Sequence, residues 1–305
     1  MPLFRRNTGN PTPSAGPPRP SAATAGHVPD LAPGDDPSDW RSYGSVAEDY
    51  RRVLEPRTDP PAADLVELLG VARGARVLDV GTGTGAAARA AAKAAGANGL
   101  VVGIDPSVAM LEQAAGRGDP APRFAAAEAI DLPFRDGVFG AVTACFVLSH
   151  FTRYETALFD MLRVLVPGGR LGVASWGPGD DEFTQTWDSV AEEFAEHEIL
   201  ADARQRAMPW HDFFTDAERT RDTLHEAGLR EIRAEKREFH YQVSLEDYLE
   251  GREATPSGRF LRQMLGDEMW PAFRERARAV FTERFPARFN DFRDVILAVG
   301  TKPDQ

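Results

Sequence analysis

The chain has 305 residues, 42% apolar and 27% charged, with a net charge of −12. That length suits one large domain or one domain with an elaboration, and the composition is globular. The acidic balance argues against nucleic acid or an anionic membrane as main partner, since both need a basic footprint.

Cys145 is the only cysteine, and the six histidines show no HxH or HExxH spacing. Neither an intrachain disulfide nor a metal site is expected. No apolar run reaches bilayer length, and no hydrophobic region follows Arg5 and Arg6, so a cytoplasmic protein without a secretory signal is expected.

Residues 1–38 are rich in Pro, Gly, Ala, Ser and Thr and hold too few large apolar side chains to offset the entropy of ordering. A disordered tail is expected there, with the folded domain over 39–305. From Trp40 to Arg57 the apolar residues take helical spacing. Pro60 and Pro61 are read as starting a helix, Ala62–Leu69, that stops at Gly70.

Short apolar runs then alternate with helical ones. The runs are Arg76–Val80, Leu100–Ile104, Phe124–Ala126, Ala141–Cys145 and Arg170–Ser175; the helical stretches are Ala86–Ala95, Ser107–Ala115 and Tyr154–Leu165. This alternation predicts a mostly parallel sheet covered on both faces, with its core over about 60–176.

After Ser175 the rhythm breaks. Thr184–Ala203 reads as one long helix, and Thr215–Glu218 as a capping box opening a helix that ends near Gly228. Residues 232–243 partly alternate as a strand would. Ser244–Asp247 is a second capping box, and 244–288 reads as a helical lid over the strand ends. A last strand, Asp294–Gly300, closes the fold.

Val77-Leu-Asp-Val-Gly-Thr-Gly-Thr-Gly85 is the most informative stretch. A buried strand runs into three alternate glycines and then an Ala-rich helix, so the backbone can approach a ligand without Cβ atoms in the way. Gly81 to Ala86 also matches the dinucleotide fingerprint, with Asp105 about twenty residues on. Asp79 separates the two readings. A carboxylate two residues before the first glycine can face the ammonium of a bound amino acid, whereas it repels a pyrophosphate. Asp105, ending the second strand, can accept both hydroxyls of a ribose. Glu128 can accept from an adenine amino group.

VLDVGTGTG (77–85), VVGIDPSVAMLEQA (101–114), AEAIDLPFRDGVF (127–139), FVLSHF (146–151) and RVLVPGGRLGVASW (163–176) together resemble the S-adenosylmethionine (SAM) dependent methyltransferases of the ubiquinone/menaquinone-biosynthesis type, the methyltransferase type 11 group. Ala47-Glu-Asp-Tyr50 resembles the segment with which that family closes over SAM. The resemblance implies a Rossmann-like, doubly wound seven-stranded α/β sheet whose last strand is antiparallel. By position, Asp79, Gly81, Gly83 and Gly85 would line the methionine end of SAM. Asp105 would bind the ribose, Pro106 and Met110 would border the adenosine, and Glu128 and Ala129 would meet the adenine. Thr82, Cys145 and Tyr50 are counted with them. One departure is Gly140, where the family usually has Asp.

Methyl transfer from a sulfonium is an in-line displacement that needs alignment, exclusion of water and sometimes a base. His150 is the first candidate base, the alternative being a histidine that only braces its loop; His211 is a second. Tyr43 and Tyr50 could touch cofactor or substrate. Aromatic residues are dense from Trp176 to Phe273, and part of that surplus suits an apolar or aromatic acceptor, such as a quinone precursor or other natural product. The expected partner is thus a small molecule, with a homodimer left open. A SAM-binding protein without methyl transfer is the second reading, and a nicotinamide-dependent oxidoreductase the third.

Overall fold

The computed structural model describes residues 36, 39–179 and 181–304. The expected tail over 1–38 therefore lies outside the described residues, Asp36 excepted. The alternating runs fold as anticipated into five parallel strands, β1 (Arg76–Val80), β2 (Leu100–Asp105), β3 (Arg123–Ala126), β4 (Phe139–Cys145) and β5 (Leu165–Trp176). Two longer strands, β6 (Arg230–Ser244) and β7 (Arg288–Thr301), complete a seven-stranded sheet of order β3-β2-β1-β4-β5-β7-β6. β7 is antiparallel to both its neighbours. The order reverses between β1 and β4, and the crevice beyond their carboxyl ends is where this architecture places ligands.

The chain enters through a 3₁₀ turn (Gly44–Val46), one turn of helix α1 (Ala47–Asp49) and a wide π turn (Tyr50–Leu54), here called the flap. Helix α2 follows over Glu55–Leu69 and ends on left-handed Gly70. The helix thus begins seven residues before the expected start and passes through Pro60 and Pro61. Pro61 lacks the N–H that would bond the carbonyl of Arg57. The hydroxyl of Tyr241, on β6, donates to that carbonyl at 2.9 Å instead.

α3 (Ala86–Ala95), α4 (Val108–Ala114, capped by Ser107) and α5 (Tyr154–Val164) link the parallel strands. Alanines 87, 88, 91, 92 and 95 of α3 are buried, and their small size lets the helix lie close to the sheet.

The expected long helix over 184–203 is two, α6 (Glu182–Glu192) and α7 (His197–Ala207), with a break between them. α8 (His211–Phe214) and α9 (Ala217–Glu226) follow. The cap of α9 is Asp216 rather than Thr215: its carboxylate accepts from the N–H groups of Glu218 and Arg219. Ser244 does cap α10 (Leu245–Ala254), accepting from Asp247 N–H at 3.1 Å. α11 runs Pro256–Arg284 but changes direction at Gly266, whose φ of 60° and ψ of −173° are not helical.

The C-terminal helices have their own core, in which Phe183, Trp187, Tyr248, Trp270, Phe273, Phe281 and Phe289 pack together. Much of the aromatic surplus seen in the sequence is spent there. The extended β6–β7 ribbon supports this core beyond the edge of the main sheet.

Candidate active site

At the end of β1 the backbone turns through Gly81, Gly83 and Gly85, all with positive φ. The strongest need for glycine is at Gly81, where a Cβ would lie 2.4 Å from Val147 Cγ2 as well as taking a φ of +67°. Left-handed backbone and close packing thus coincide there.

Asp79 points into the sheet end and is 1% exposed. It accepts hydrogen bonds from Thr82 Oγ1 at 2.6 Å and from Thr143 Oγ1 at 2.7 Å. Burial raises its carboxyl to about 6, against the pull of the Thr143 and Thr82 hydroxyls. Thr143 is directly opposite Asp79 in the β1–β4 register and was not anticipated from sequence. A lone polar residue in the apolar run Ala141–Cys145 is the signal that could have found it.

Asp105 ends β2 with one oxygen accepting from Gly83 N–H at 2.8 Å and the other from Ser107 N–H at 3.0 Å. Each carboxylate bond ties the acid to a neighbouring loop, so Asp105 also fixes the shape of the glycine turn. Met110 is buried with its Sδ-bound methyl beside Gly83, and Pro106 is half-buried. Glu128 is half-buried and its carboxyl is pushed up by burial. The side chain of Ala129 packs into the main core with Leu132 and Leu148.

The flap covers this end of the sheet. Tyr43 and Tyr50 meet edge to face at 5.8 Å, and the Asp105 carboxylate lies near enough to both to oppose ionisation of their phenols, already disfavoured by burial. Cys145 is close to Tyr50, and burial and Asp79 keep its thiol protonated. His150 meets the Tyr43 ring edge to face at 5.9 Å. Burial, then the charges of Arg259 and His211, push its imidazole down to about 4, while a hydrogen bond with the Ala207 backbone works the other way. The structure therefore brings Tyr43, Tyr50, His150 and His211 together at the strand ends, with Arg259 from α11 among them. No local signal marked Arg259, because Trp40, Arg41 and Tyr43, which it touches, are more than two hundred residues away in sequence.

Glu55, also unforeseen, fastens the base of the flap. It is buried, pairs with Arg89 at 3.0 Å and Arg117 at 2.5 Å, and hydrogen-bonds Thr84 of the glycine turn. Among the described residues no group of His, Cys, Asp or Glu is arranged to hold a metal, and no helix is long and apolar enough to cross a membrane.

Residues 78–173, which carry the glycine turn, Asp105 and His150, match the model of the methyltransferase domain family. Over that segment, about a third of the chain, the likeness is to a methyltransferase domain. Demethylmenaquinone methyltransferase of Thermus thermophilus is 44% identical over 107 residues, which is 34% of this chain and 48% of that protein. The ubiquinone/menaquinone biosynthesis C-methyltransferase UbiE of Azotobacter vinelandii is 43% identical over 111 residues, 35% of this chain and 44% of that protein. The chain thus spans about half the length of these curated relatives.

Among solved structures, YcgJ of Bacillus subtilis aligns with a TM-score of 0.51 at 20% identity, covering 80% of this chain and 99% of that one. Phosphoethanolamine N-methyltransferase 2 of Haemonchus contortus, bound to phosphomonomethylethanolamine and S-adenosylhomocysteine, aligns with a TM-score of 0.53 at 19% identity, covering 85% and 58%. Both likenesses concern the fold. The segment that matches the methyltransferase domain model, within β1 to β5, carries the glycine turn, Asp79 and Asp105.

Proposed function

We propose that this protein transfers a methyl group from SAM to a small, apolar or aromatic acceptor of quinone-like or natural-product type. The observation that carries the reading is Asp105: it ends β2 beside the glycine turn, held by Gly83 N–H, within a segment that matches the methyltransferase domain model. The site's chemistry fits the cofactor. Asp79 and Asp105 place acid at the turn, which suits a ligand with ammonium and sulfonium groups and opposes the pyrophosphate of a dinucleotide. The positive φ of Gly81, Gly83 and Gly85 lets the backbone turn tightly past the end of β1, with Val147 and Met110 packed where side chains would be. SAM, when bound, supplies the electrophilic methyl and a neutral thioether leaving group.

On this reading the chain's own residues bind the cofactor, exclude water and handle the acceptor's proton. Asp79, oriented by Thr82 and Thr143, takes the methionine ammonium. Asp105 takes the ribose, and Glu128 the adenine side. The flap, through Tyr43 and Tyr50, keeps water from the strand ends. His150 is neutral at working pH and is the candidate base. A base this weak suits an acceptor whose own proton is acidic. Phe146 stacks on Trp176 at 4.0 Å, where β4 and β5 end, and offers an aromatic wall for such an acceptor.

The relatives named for quinone biosynthesis support this acceptor class over the short segment they share. Calorimetry with SAM and with a nicotinamide dinucleotide, followed by product analysis on a panel of hydroxylated quinones and phenols, tests the reading. Binding of SAM with no product across the panel would favour a cofactor-binding protein without methyl transfer. Binding of the dinucleotide alone would overturn the reading.

A further inference from the structure

Arg259 is 7% exposed and sits in the first turn of α11. Its Nε donates to the carbonyl of Trp40 at 2.7 Å, Nη2 to that of Arg41 at 3.2 Å, and Nη1 to that of Ala254 at the end of α10. The guanidinium lies over the ring of Tyr43, 4.3 Å from its centre. The next residue, Phe260, meets Trp40 edge to face at 5.1 Å. One side chain thus grips the two residues leading into the flap and covers the tyrosine that follows them. Among the described residues no carboxylate pairs with Arg259 at contact distance; it is held by carbonyl dipoles and a ring face, with the charge of Asp39 acting from farther off.

The rest of the flap is tied to both halves of the molecule. Arg51 donates to Gln113 on α4 at 2.8 Å, and Arg52 pairs with Glu250 on α10 at 2.5 Å. The helical piece that carries Arg259 and Phe260 is itself bounded by two non-helical joints. Thr255 is extended, with ψ of 158°, and Gly266 is left-handed with nothing within 4 Å of where a Cβ would be. Residues 256–265 are thus a separate helical unit between two joints, packed on the C-terminal core through Leu261 and carrying the flap's anchor.

We propose that Arg259 is a positioning residue that holds Tyr43 and Tyr50 over the Asp105–Cys145 end of the sheet, so that retention of SAM depends on a helix of the acceptor side. The proposal rests on the reading that this site binds SAM. It implies that an acceptor which shifts residues 256–265 changes SAM affinity, and that SAM changes acceptor affinity by the same factor. It also means that the flap opens by release of main-chain carbonyls. The clasp is then insensitive to which side chains occupy positions 40 and 41, apart from the Trp40–Phe260 contact.

The test uses the full chain, with SAM and S-adenosylhomocysteine as probes and Arg259→Gln and Arg259→Lys as variants. Expected are release of either probe at least tenfold faster in both variants, and faster amide hydrogen exchange at residues 40–50 with β1, β2 and β4 unchanged. KM for SAM should rise more than kcat falls. Lysine should not rescue, because one ammonium cannot reach three carbonyls held by a planar fork. Phe260→Ala and Tyr43→Leu remove the two ring contacts separately and replace the Arg259 variants should those fail to fold; each should speed release in the same direction. Unchanged release and exchange would overturn the clasp. Exchange raised throughout the sheet would also overturn it, by showing that Arg259 supports folding in general. Wild-type protein that binds no SAM would instead sink the cofactor reading, while exchange at 40–50 would still decide whether the clasp exists.

Discussion

The hydroxyl of Tyr241 donates to the main-chain carbonyl of Arg57 at 2.9 Å, across 184 residues of chain. The bond falls where Pro61 denies α2 its own partner for that carbonyl. The side chain of the same Arg57 reaches fully buried Asp291 at 3.0 Å, directly across the β6–β7 ladder from Tyr241. Two residues earlier, Glu55 is bound to Thr84 of the glycine turn and to Arg117. The opening turn of α2 is therefore the place where the glycine-turn end of the parallel core and the β6–β7 ribbon are joined.

Removing the Tyr241 hydroxyl should leave that carbonyl unsatisfied. Tyr241→Phe is expected to cost about 1–3 kcal/mol of stability. SAM affinity should stay near that of the wild type. Pro61→Ala restores an N–H at position 61, so the same Phe substitution should cost clearly less in that background. Chemical denaturation of the four proteins of this double-mutant cycle measures the coupling. Strict additivity would show that Tyr241 contributes packing alone.

Asp105→Ala removes charge-assisted bonds worth roughly 1.5–3 kcal/mol each. SAM affinity should fall about tenfold or more. The fold should persist, because β2 remains paired on both sides. Calorimetry reads the first effect and circular dichroism the second. An unchanged Kd would remove Asp105 from the ribose site.

Asp79 gives the protein a pH signature with opposite signs for stability and binding. Its carboxyl, raised to about 6 by burial, holds a proton that the unfolded chain releases near 3.9. The buried acid therefore stabilises the fold fully below about pH 4, and that contribution is lost as pH rises through about 6. A ligand ammonium favours the ionised form, so SAM affinity should climb by up to about tenfold per unit as pH approaches 6 and then level off. Binding at pH 5.5 should release protons, seen as a buffer-dependent enthalpy. Asp79→Asn should abolish both the proton release and the slope. A flat affinity from pH 5 to 7 in the wild type would contradict the placement of the ammonium at Asp79.

For His150 the expected signature is kinetic. As a base it must be neutral, and at about 4 its pKa puts the acid limb of turnover near pH 4 rather than 6.5. His150→Ala should lower turnover by about 10²–10⁴-fold with acceptors that must lose a proton, and by less with acceptors already anionic. SAM affinity should hardly move. Equal losses with both acceptors, together with weaker SAM binding and lower stability, would mean that His150 only braces the turn after β4 against Tyr43 and Ala207.

The parallel core was legible in the sequence because its determinants are local. Each strand from Arg76 to Trp176 is an apolar run bounded by turn residues, and the three glycines after β1 mark a backbone path that few other residues can take. Asp79 and Asp105 could be named at once, since each sits at a strand end fixed by that local pattern. The start of α2 was hidden for an equally physical reason. Two prolines inside a helix read as its beginning unless a distant hydroxyl is known to replace the missing N–H. The division of the 184–203 stretch and the aromatic core around Phe273 likewise depend on which surfaces meet, and apolar spacing does not record that. Thr143 across from Asp79, Glu55 under the glycine turn and Arg259 over the flap were decided by tertiary structure alone. Their chemistry lies in contacts made at long sequence separation, where a side chain's role is set by what folding brings against it.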